Sequence, residues 1–209
     1  MTSRDNVRHA VEALLNGRPV VLPTDTVYGV AADPRNEDAV QRVFALKGRP
    51  DTKPLPLLVP SIEAAQGCAA DWPDAARRLA NAFWPGPLTI VVPAADWIPD
   101  VVTAREATIG LRQPDHALAL RLLQEFGGPL ACTSANRSGE PPVFRLDELP
   151  SAFLHTDVSR LDGGLLPPSP ASTVVAVSDN SAIRVLRDGP IPFDRLQSAI
   201  ETPRGGADL

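Results

Sequence analysis

Three short polar segments interrupt an otherwise aliphatic sequence, and their residue types suit the binding of a polar anion. They are Pro23–Gly29, which carries hydroxyls and a carboxylate, Lys47–Pro50, which places two cations around a glycine, and Thr133–Gly139, which carries hydroxyls, an amide and a guanidinium. Arginine can hold a phosphate through two hydrogen bonds, and lysine acts as a point charge. Together the segments indicate a site for an anionic small molecule such as a nucleotide, and hence an enzyme.

Two of these segments are predicted to lie where α/β proteins place their ligands. Thr133–Gly139 directly follows an apolar strand that ends at Cys132, and ligands gather at the carboxyl ends of strands. Thr26 and Tyr28 project to the same side of an extended segment, so both are predicted to face a pocket. Plainer interpretations stay open: Lys47–Pro50 also fits a solvated basic turn, and Thr133–Gly139 fits a Ser/Asn-rich turn that satisfies its own backbone.

Other polar or aromatic residues have simpler interpretations. Asp25 is interpreted as a carboxylate that caps its turn. Arg112 ends a strand-like run, where its guanidinium either holds a ligand carboxylate or pairs with Asp115. Trp84 is interpreted as a packing residue beside a tight turn. The 3 histidines show no mutual metal spacing, so we assign no metal ligand.

The elements that must position these residues alternate between strand and helix, which is typical of an α/β fold. Apolar, β-branched runs predict strands at 19–23, 27–32, 55–59, 88–92, 108–112, 129–133, 158–161, 173–177 and 183–186. Helical periodicity and caps predict helices at 4–16, 36–46, from 61, 73–83, 115–126 and 193–200. The closely spaced last strands imply a mixed sheet. We expect one domain over residues 1–200, an irregular segment at 93–106 and a disordered tail at 201–209.

Composition narrows the class of protein. The chain has 209 residues, of which 44% are hydrophobic and 22% charged, as in ordinary globular domains. A net charge of −5 argues against a nonspecific nucleic-acid binder, although it leaves room for a local basic patch. Cys68 and Cys132 match no metal spacing and are expected to be free, buried thiols. No membrane-spanning or signal segment stands out, so a cytoplasmic location is expected.

The succession of motifs resembles the YrdC-domain family. No P-loop or dinucleotide fingerprint is present, so a nucleotide would have to be bound by another kind of phosphate-binding site. The stretches that carry the resemblance occur in family order between about residues 15 and 190: Pro23–Gly29, Lys47–Pro50, Lys53–Leu55, Trp84–Thr89, Thr108–Pro114, Ser134–Gly139, Ser172–Val175 and Leu186–Gly189.

The resemblance implies a fold and a reaction. The fold is a twisted, mixed but largely parallel sheet around a concave basic cleft. The reaction is that of a threonylcarbamoyl-AMP synthase, which joins L-threonine, bicarbonate or CO2, and ATP with release of pyrophosphate. The product then serves a downstream threonylcarbamoyl transferase that modifies an adenosine of tRNA. Mg²⁺ is expected with the nucleotide, and tRNA or double-stranded RNA is a possible partner.

The resemblance also assigns roles by position. The family's Lys-x-Arg and Ser-x-Asn pairs, expected to be catalytic, are Lys47, Arg49, Ser134 and Asn136. The expected ATP contacts are Arg49, Lys53, Thr108, Asn136 and Arg187, and the expected L-threonine contacts are Thr26, Arg112, Ser134 and Ser172. Such cations and donors would stabilise the negative charge at the α-phosphate by position and electrostatics, and no side chain needs to be a nucleophile.

Three positions depart from the family pattern. Leu58 replaces a histidine of some members, Val143–Phe144 removes a hydroxyl that could touch ATP, and Pro170–Ala171 changes the loop before Ser172. They leave an alternative open: a noncatalytic or differently specific paralogue that binds RNA or a nucleotide. A module of a larger maturation enzyme is disfavoured by the short chain and by the missing zinc-finger cysteines.

Overall fold

The computed structural model describes residues 3–48, 52–155, 157–178 and 182–201. The helices are α1 Ser3–Leu15, α2 Glu37–Lys47, α3 Ile62–Gln66, α4 Asp74–Phe83, α5 Asp100–Thr103, α6 Ala117–Phe126 and α7 Phe193–Glu201. The strands are β1 Val20–Pro23, β2 Tyr28–Ala32, β3 Leu57–Leu58, β4 Leu88–Pro93, β5 Thr108–Arg112, β6 Leu130–Ser134, β7 Ser159–Arg160, β8 Thr173–Val177 and β9 Ile183–Arg187. Short 3₁₀ turns lie at Leu146–Glu148 and Ser151–Leu154.

The strands form one mixed sheet in the order β7-β1-β2-β6-β3-β5-β4-β8-β9. The pairs β1–β7, β3–β5 and β4–β8 are parallel, and the other neighbouring pairs are antiparallel. The prediction of a single α/β domain with a mixed sheet is confirmed. Parallel pairs are fewer than we expected, because β1–β2 and β8–β9 are joined by short connections that only antiparallel neighbours allow.

The two faces of the sheet are covered unequally. One face packs on α2, α4 and α7 in a large core that includes Val43, Leu79 and Leu196. The other face packs on α1 and α6 through a smaller cluster that includes Leu14 and Leu122. Helices α1 and α6 contact each other and lie over the β1 side of the sheet. The same face is left open over β5, β4, β8 and β9.

Polar caps begin the helices where the sequence predicts them. Asn36 accepts a hydrogen bond from the Ala39 amide at 3.0 Å, and Ser61 accepts one from the Ala64 amide at 3.2 Å. Gly48 follows α2 in the left-handed region with φ 58°, a conformation that glycine adopts without strain. Because α2 must end there, Lys47 is held at the end of the helix that lies beside β2.

Some expectations need correction or lie outside the described ranges. The segment 93–106 is not wholly irregular, because it contains α5 and Ala94 bridges to Ala69. Strand β3 is shorter than expected. The final helix extends to Glu201, and the rest of the expected tail, 202–209, falls outside the described ranges, as does Arg49. No helix in the described ranges is long and apolar enough to span a membrane.

Gly189 is predicted to be a position where even one methyl group destabilises the fold. A Cβ there would lie 2.6 Å from Ala171 O and 2.7 Å from Ser172 C, and closer still to the Thr173 amide nitrogen. Backbone atoms cannot yield as a flexible side chain can, so Gly189→Ala should cost about 1–3 kcal/mol of unfolding free energy. Thermal melting against wild type measures the loss.

Gly67→Ala is the matched control for this prediction. Gly67 has right-handed φ of −68°, and the nearest atom to an added Cβ is Ala64 O at 3.5 Å, which is ordinary contact. The control should melt within about a degree or two of wild type or slightly higher. Equal melting temperatures for Gly189→Ala and wild type would contradict the predicted clash.

Candidate functional site

The open half of the sheet face is lined by alternate residues of its strands, which enclose a cavity of about 510 Å³. On β5, Thr108, Gly110 and Arg112 face the cavity while Ile109 and Leu111 are buried in the core on the opposite face. This alternation follows from the period-two pleat of a strand. Neighbouring strands add Thr89 and Val91 from β4, Val174 and Ala176 from β8, Arg184 and Leu186 from β9, and Cys132 and Ser134 from β6.

Arg112 is the cation at the centre of the hydrogen-bond network in this cavity. It is 6% exposed, and each nitrogen of its guanidinium donates to a different acceptor. Nε donates to Gly86 O at 3.0 Å, Nη1 to Thr26 Oγ1 at 3.1 Å, and Nη2 to Asp25 Oδ1 at 2.6 Å. Arginine has five N–H groups. Among the described residues these three contacts use one N–H of each nitrogen, so Nη1 and Nη2 each keep one N–H group for a ligand.

The β1–β2 turn that supplies two of these acceptors is shaped by Thr24. Its hydroxyl donates to Val27 O at 2.6 Å and accepts from the amides of Thr26 and Val27. The expected turn cap is therefore Thr24 rather than Asp25, which instead pairs with Arg112. Because Thr24 has already satisfied the turn's backbone, the Asp25 carboxylate can reach across to β5.

Tyr28 does not face the cavity as predicted. It is fully buried in the opposite core, and its hydroxyl donates to Gly164 O at 2.8 Å and accepts from the Gly163 amide at 2.9 Å. Desolvation raises the pKa of its phenol. The chain turns between Thr26 and Tyr28, so the two side chains lie on different sides. Tyr28 anchors the segment that crosses from β7 towards β8.

Arg187 and Ser172 form a second polar cluster on the other wall of the cavity. Arg187 Nε and Nη2 donate to Ser172 O at 3.0 and 2.9 Å, and Nη2 also donates to Ser172 Oγ at 3.0 Å. The Ser172 hydroxyl lies 2.8 Å from Thr89 Oγ1. Ser172 is thereby fixed in orientation although it lies in the connection just before β8.

Arg112 and Arg187, two of the arginines that line the cavity, repel each other. Desolvation, and then the charge of Arg112, lower the pKa of Arg187. Of the charged side chains that line the cavity in the described ranges, Arg112, Arg184 and Arg187 are positive and Glu106 is negative. An anion between the two guanidinium groups would relieve their repulsion.

Lys47 holds the loop after β6 from behind and does not line the cavity. It is 3% exposed, and its Nζ donates to Ser134 O, to Asn136 O at 2.7 Å and to Asn136 Oδ1 at 3.2 Å. The Asn136 amide in turn donates to Arg137 O at 3.1 Å and Glu140 O at 2.5 Å. The side chains of Lys47 and Asn136 therefore give the loop its shape, and Ser134, whose Oγ lies 3.4 Å from Lys47 Nζ, lines the cavity.

The cavity brings together most of the residues that the sequence points to. Six line it: Thr26, Thr108, Arg112, Ser134, Ser172 and Arg187. Lys47 and Asn136 lie behind the wall, Lys53 is exposed beside Pro54, which does line the cavity, and Arg49 falls outside the described ranges. Sequence reasoning missed Thr89, Glu106 and Arg184. Period-two alternation from Arg112 and Thr108 in β5 points to Glu106, two residues before Thr108. It does not point to Arg184, three residues from Arg187, which lines the same cavity because the β8–β9 pairing shifts register at Val174/Val175.

The three departures from the family pattern have different surroundings. Leu58 lines the cavity and is 5% exposed. Val143 is buried and its carbonyl accepts the Tyr28 amide at 2.9 Å, while Phe144 packs against the core. Ala171 lines the cavity beside Ser172. Leu58 and Ala171 therefore form part of the cavity wall, whereas Val143–Phe144 contributes apolar packing where the family pattern has a hydroxyl.

Both thiols are predicted to be unreactive in the folded protein. Burial raises the pKa of Cys132 to about 12 and that of Cys68 to about 11, from an ordinary value near ~8.5. At pH 8 both groups stay protonated, so Ellman's reagent should label them far more slowly than in guanidinium-unfolded chain. Rapid labelling of the native protein would contradict the burial of both thiols.

The same shifts give a pH dependence of stability. The unfolded thiols ionise near ~8.5 and the folded ones only near 11 to 12. The contribution of the two buried thiols to the free energy of unfolding is therefore complete below pH ~8.5 and is lost as the pH rises towards 12. Serine substitution at Cys68 and Cys132 should flatten this alkaline loss in urea titrations, and an unchanged slope would contradict it.

Comparison with known proteins gives the family. A family model described as Telomere recombination, Sua5/YciO/YrdC, matches residues 12–189. The Pyrococcus abyssi protein named threonylcarbamoyl-AMP synthase is 35% identical over 194 residues, which are 93% of this chain and 57% of that protein. A Mycobacterium tuberculosis protein named putative threonylcarbamoyl-AMP synthase is 39% identical, over 91% of this chain and 87% of its own length.

The structural comparison agrees. The crystal structure of P. abyssi Sua5 complexed with L-threonine superposes with a TM-score of 0.89 at 34% identity, covering 96% of this chain and 58% of that one. The chain thus spans under two thirds of the P. abyssi protein's length. The matched model reaches from α1 to the residues beyond β9 and includes every strand of the sheet. The chain belongs to the Sua5/YciO/YrdC family.

Proposed function

We propose that this protein is a threonylcarbamoyl-AMP synthase. The observation that carries the proposal is the pair of arginines, Arg112 and Arg187, on opposite walls of one cavity whose remaining polar lining is mostly hydroxyl groups. Such a cavity suits a ligand with a carboxylate at one end and phosphates at the other. The names of the relatives support the same reaction.

The amino-acid end is assigned to the wall around Arg112. Its two remaining N–H groups suit a carboxylate, which pairs well with a guanidinium. Thr26 and Ser134 add hydroxyls nearby, and Ser172 adds one from the facing wall. The L-threonine complex of P. abyssi Sua5 supports an amino-acid site in a cavity of this fold.

The nucleotide end is assigned to the side of Arg187 and Thr108. Arg187 is already oriented by Ser172, so its charge meets a phosphate with little further loss of side-chain freedom. Lys53 and Arg49 are proposed to add contacts to the nucleotide. Asn136, whose side chain bonds Lys47, Arg137 and Glu140 behind the wall, is proposed to act indirectly by shaping the loop after β6. Mg²⁺ is proposed to enter with ATP, because this ion is usually held by the substrate phosphates, water and one or two carboxylates.

The chemistry needs positioning more than reactive side chains. The amine of L-threonine forms a carbamate, with release of water when it reacts with bicarbonate or of a proton when it reacts with CO2. A carbamate oxygen then attacks the α-phosphorus of ATP. A new O–P bond forms, the bond to the β-phosphate oxygen breaks, and pyrophosphate leaves. Fixed cations near the α-phosphate stabilise the negative charge that gathers there. The product is proposed to pass, in the cytoplasm, to a transferase that acts on tRNA.

Arg187→Ala tests the phosphate end of this proposal. Wild type should release pyrophosphate from ATP only when both L-threonine and bicarbonate are present. Loss of a charge-assisted contact of about 1.5–3 kcal/mol should lower kcat/KM for ATP roughly 10-fold to 100-fold. Arg145→Ala is the control, because Arg145 is exposed and pairs only with nearby Asp147 among the described acids.

The outcomes separate the candidate functions. No pyrophosphate from folded wild type would overturn the synthase and favour a noncatalytic paralogue, to be tested by salt-dependent tRNA and double-stranded RNA binding. Turnover that Arg187→Ala leaves unchanged would remove Arg187 from the nucleotide site.

Lys47→Ala should abolish activity by a different route. The substitution leaves the buried carbonyls of Ser134 and Asn136 without their cationic donor, at a cost of about 1–3 kcal/mol for each buried group left unpaired. We expect a lower melting temperature together with a loss of turnover. Activity lost at unchanged stability would instead indicate direct contact between Lys47 and substrate.

A further inference from the structure

Asp25 has no role in the proposed reaction, although its carboxylate contacts the buried cation of the cavity. Its side chain is 14% exposed, and Oδ1 lies 2.6 Å from Arg112 Nη2. We propose that Asp25 is the positioning residue of Arg112: it fixes the guanidinium so that two N–H groups await the amino-acid carboxylate. This inference rests on the proposed function for the identity of that carboxylate.

Arg112 needs to be held because its side chain has several rotatable bonds. An arginine that is free in the cavity would lose rotamer freedom each time a ligand binds. Here three acceptors around one planar group fix both its place and its rotation. Gly86 O and Thr26 Oγ1 are neutral acceptors at 3.0 and 3.1 Å, whereas Asp25 is charged and closer. Asp25 therefore supplies the strongest of the three restraints.

Asp25 is itself held in place. The same Oδ1 accepts the backbone amide of Asp115 at 3.0 Å, which joins the β1–β2 turn to the connection between β5 and α6. On the other side, the Thr24 hydroxyl closes the turn by accepting the Thr26 and Val27 amides. The carboxylate is thus placed by the backbone on both sides and needs no ligand to order it.

Two other roles for Asp25 do not fit its position. Asp25 does not line the cavity, so it could not accept a proton directly from a substrate there. No cluster of three metal-ligating His, Cys, Asp or Glu side chains occurs over the described ranges. What remains is action through Arg112.

Loss of the Asp25 charge and loss of its hydrogen bonds are expected to have opposite effects on anion binding at Arg112. Removal of the negative charge alone makes the surroundings of Arg112 more positive, which favours an anion. Removal of the hydrogen bond frees the guanidinium and weakens anion binding. Because one oxygen accepts both bonds, Asp25→Asn can keep them with its amide oxygen, while Asp25→Ala loses both.

The experiment is pyrophosphate release at varied L-threonine and at varied ATP. We expect Asp25→Ala to raise KM for L-threonine roughly tenfold or more, the equivalent of one charge-assisted bond, and KM for ATP by less than about threefold. Asp25→Asn should stay within about threefold of wild type for both substrates. Asp38→Asn, which removes an exposed acid in the first turn of α2, is the control.

The outcomes are distinct from those of the proposed function. If wild type turns over and Asp25→Ala keeps its KM for L-threonine, or raises both KM values equally, the inference is wrong while the synthase stands. Lower KM values for L-threonine in both Asp25→Ala and Asp25→Asn than in wild type would overturn positioning in favour of the charge effect.

A second measurement tests whether Asp25 holds Arg112 in place, and it does not require turnover by wild type. The Arg112 Nε–H signal in a ¹H–¹⁵N spectrum, identified by its loss in Arg112→Lys, should be sharp in wild type and Asp25→Asn and broadened in Asp25→Ala. A sharp, unshifted signal in Asp25→Ala would mean that Asp25 does not hold the guanidinium.

Discussion

The cavity exists because two helices cannot cover one face of a nine-stranded sheet. At roughly 4.8 Å between strands the sheet is about 38 Å wide, while a helix is about 10 Å across. Helices α1 and α6 therefore cover only about half of that face, and β5, β4, β8 and β9 meet water there. On the opposite face α2, α4 and α7 complete the core. Alternation along β5 then suffices to put Ile109 and Leu111 in that core and Arg112 in the cavity.

Three cations stabilise the walls of the cavity in the same way, by donating to backbone carbonyls. Lys47 donates to Ser134 O and Asn136 O, Arg112 to Gly86 O, and Arg187 to Ser172 O. The carbonyls of Gly86, Asn136 and Ser172 lie in connections, and that of Ser134 lies at the end of β6. The cations therefore order the segments around the cavity and place positive charge in its walls or behind them, so the proposed anion binding would depend on the same side chains as the architecture.

Sequence reasoning located the elements and most cavity residues, because hydrophobic period and caps are local. Asn36 and Ser61 cap helices as predicted, and the polar segment after β6 does reach the cavity through Ser134. The partner of Asp25 was not predictable, since Arg112 lies 87 residues away and the sequence pattern suggested only a ligand carboxylate or Asp115 as partners of Arg112. Tyr28 was misplaced because the chain turns between it and Thr26. That most neighbouring strands would pair in antiparallel fashion was not predictable, because the local hydrophobic pattern does not determine which strands become neighbours in the sheet.

The pairing of β4 with β8 has a consequence for how the protein is made. Ser172 meets Thr89 across 83 residues of sequence, and Arg187 follows later still. A ribosome delivers the β1–β2 turn, β5 and β6 well before these partners emerge. The growing chain can form the Arg112 wall early, but the opposite wall must wait for the last strands. Contacts of such long range also slow folding. The cavity of the nascent protein is thus incomplete until nearly all of the domain has been synthesised.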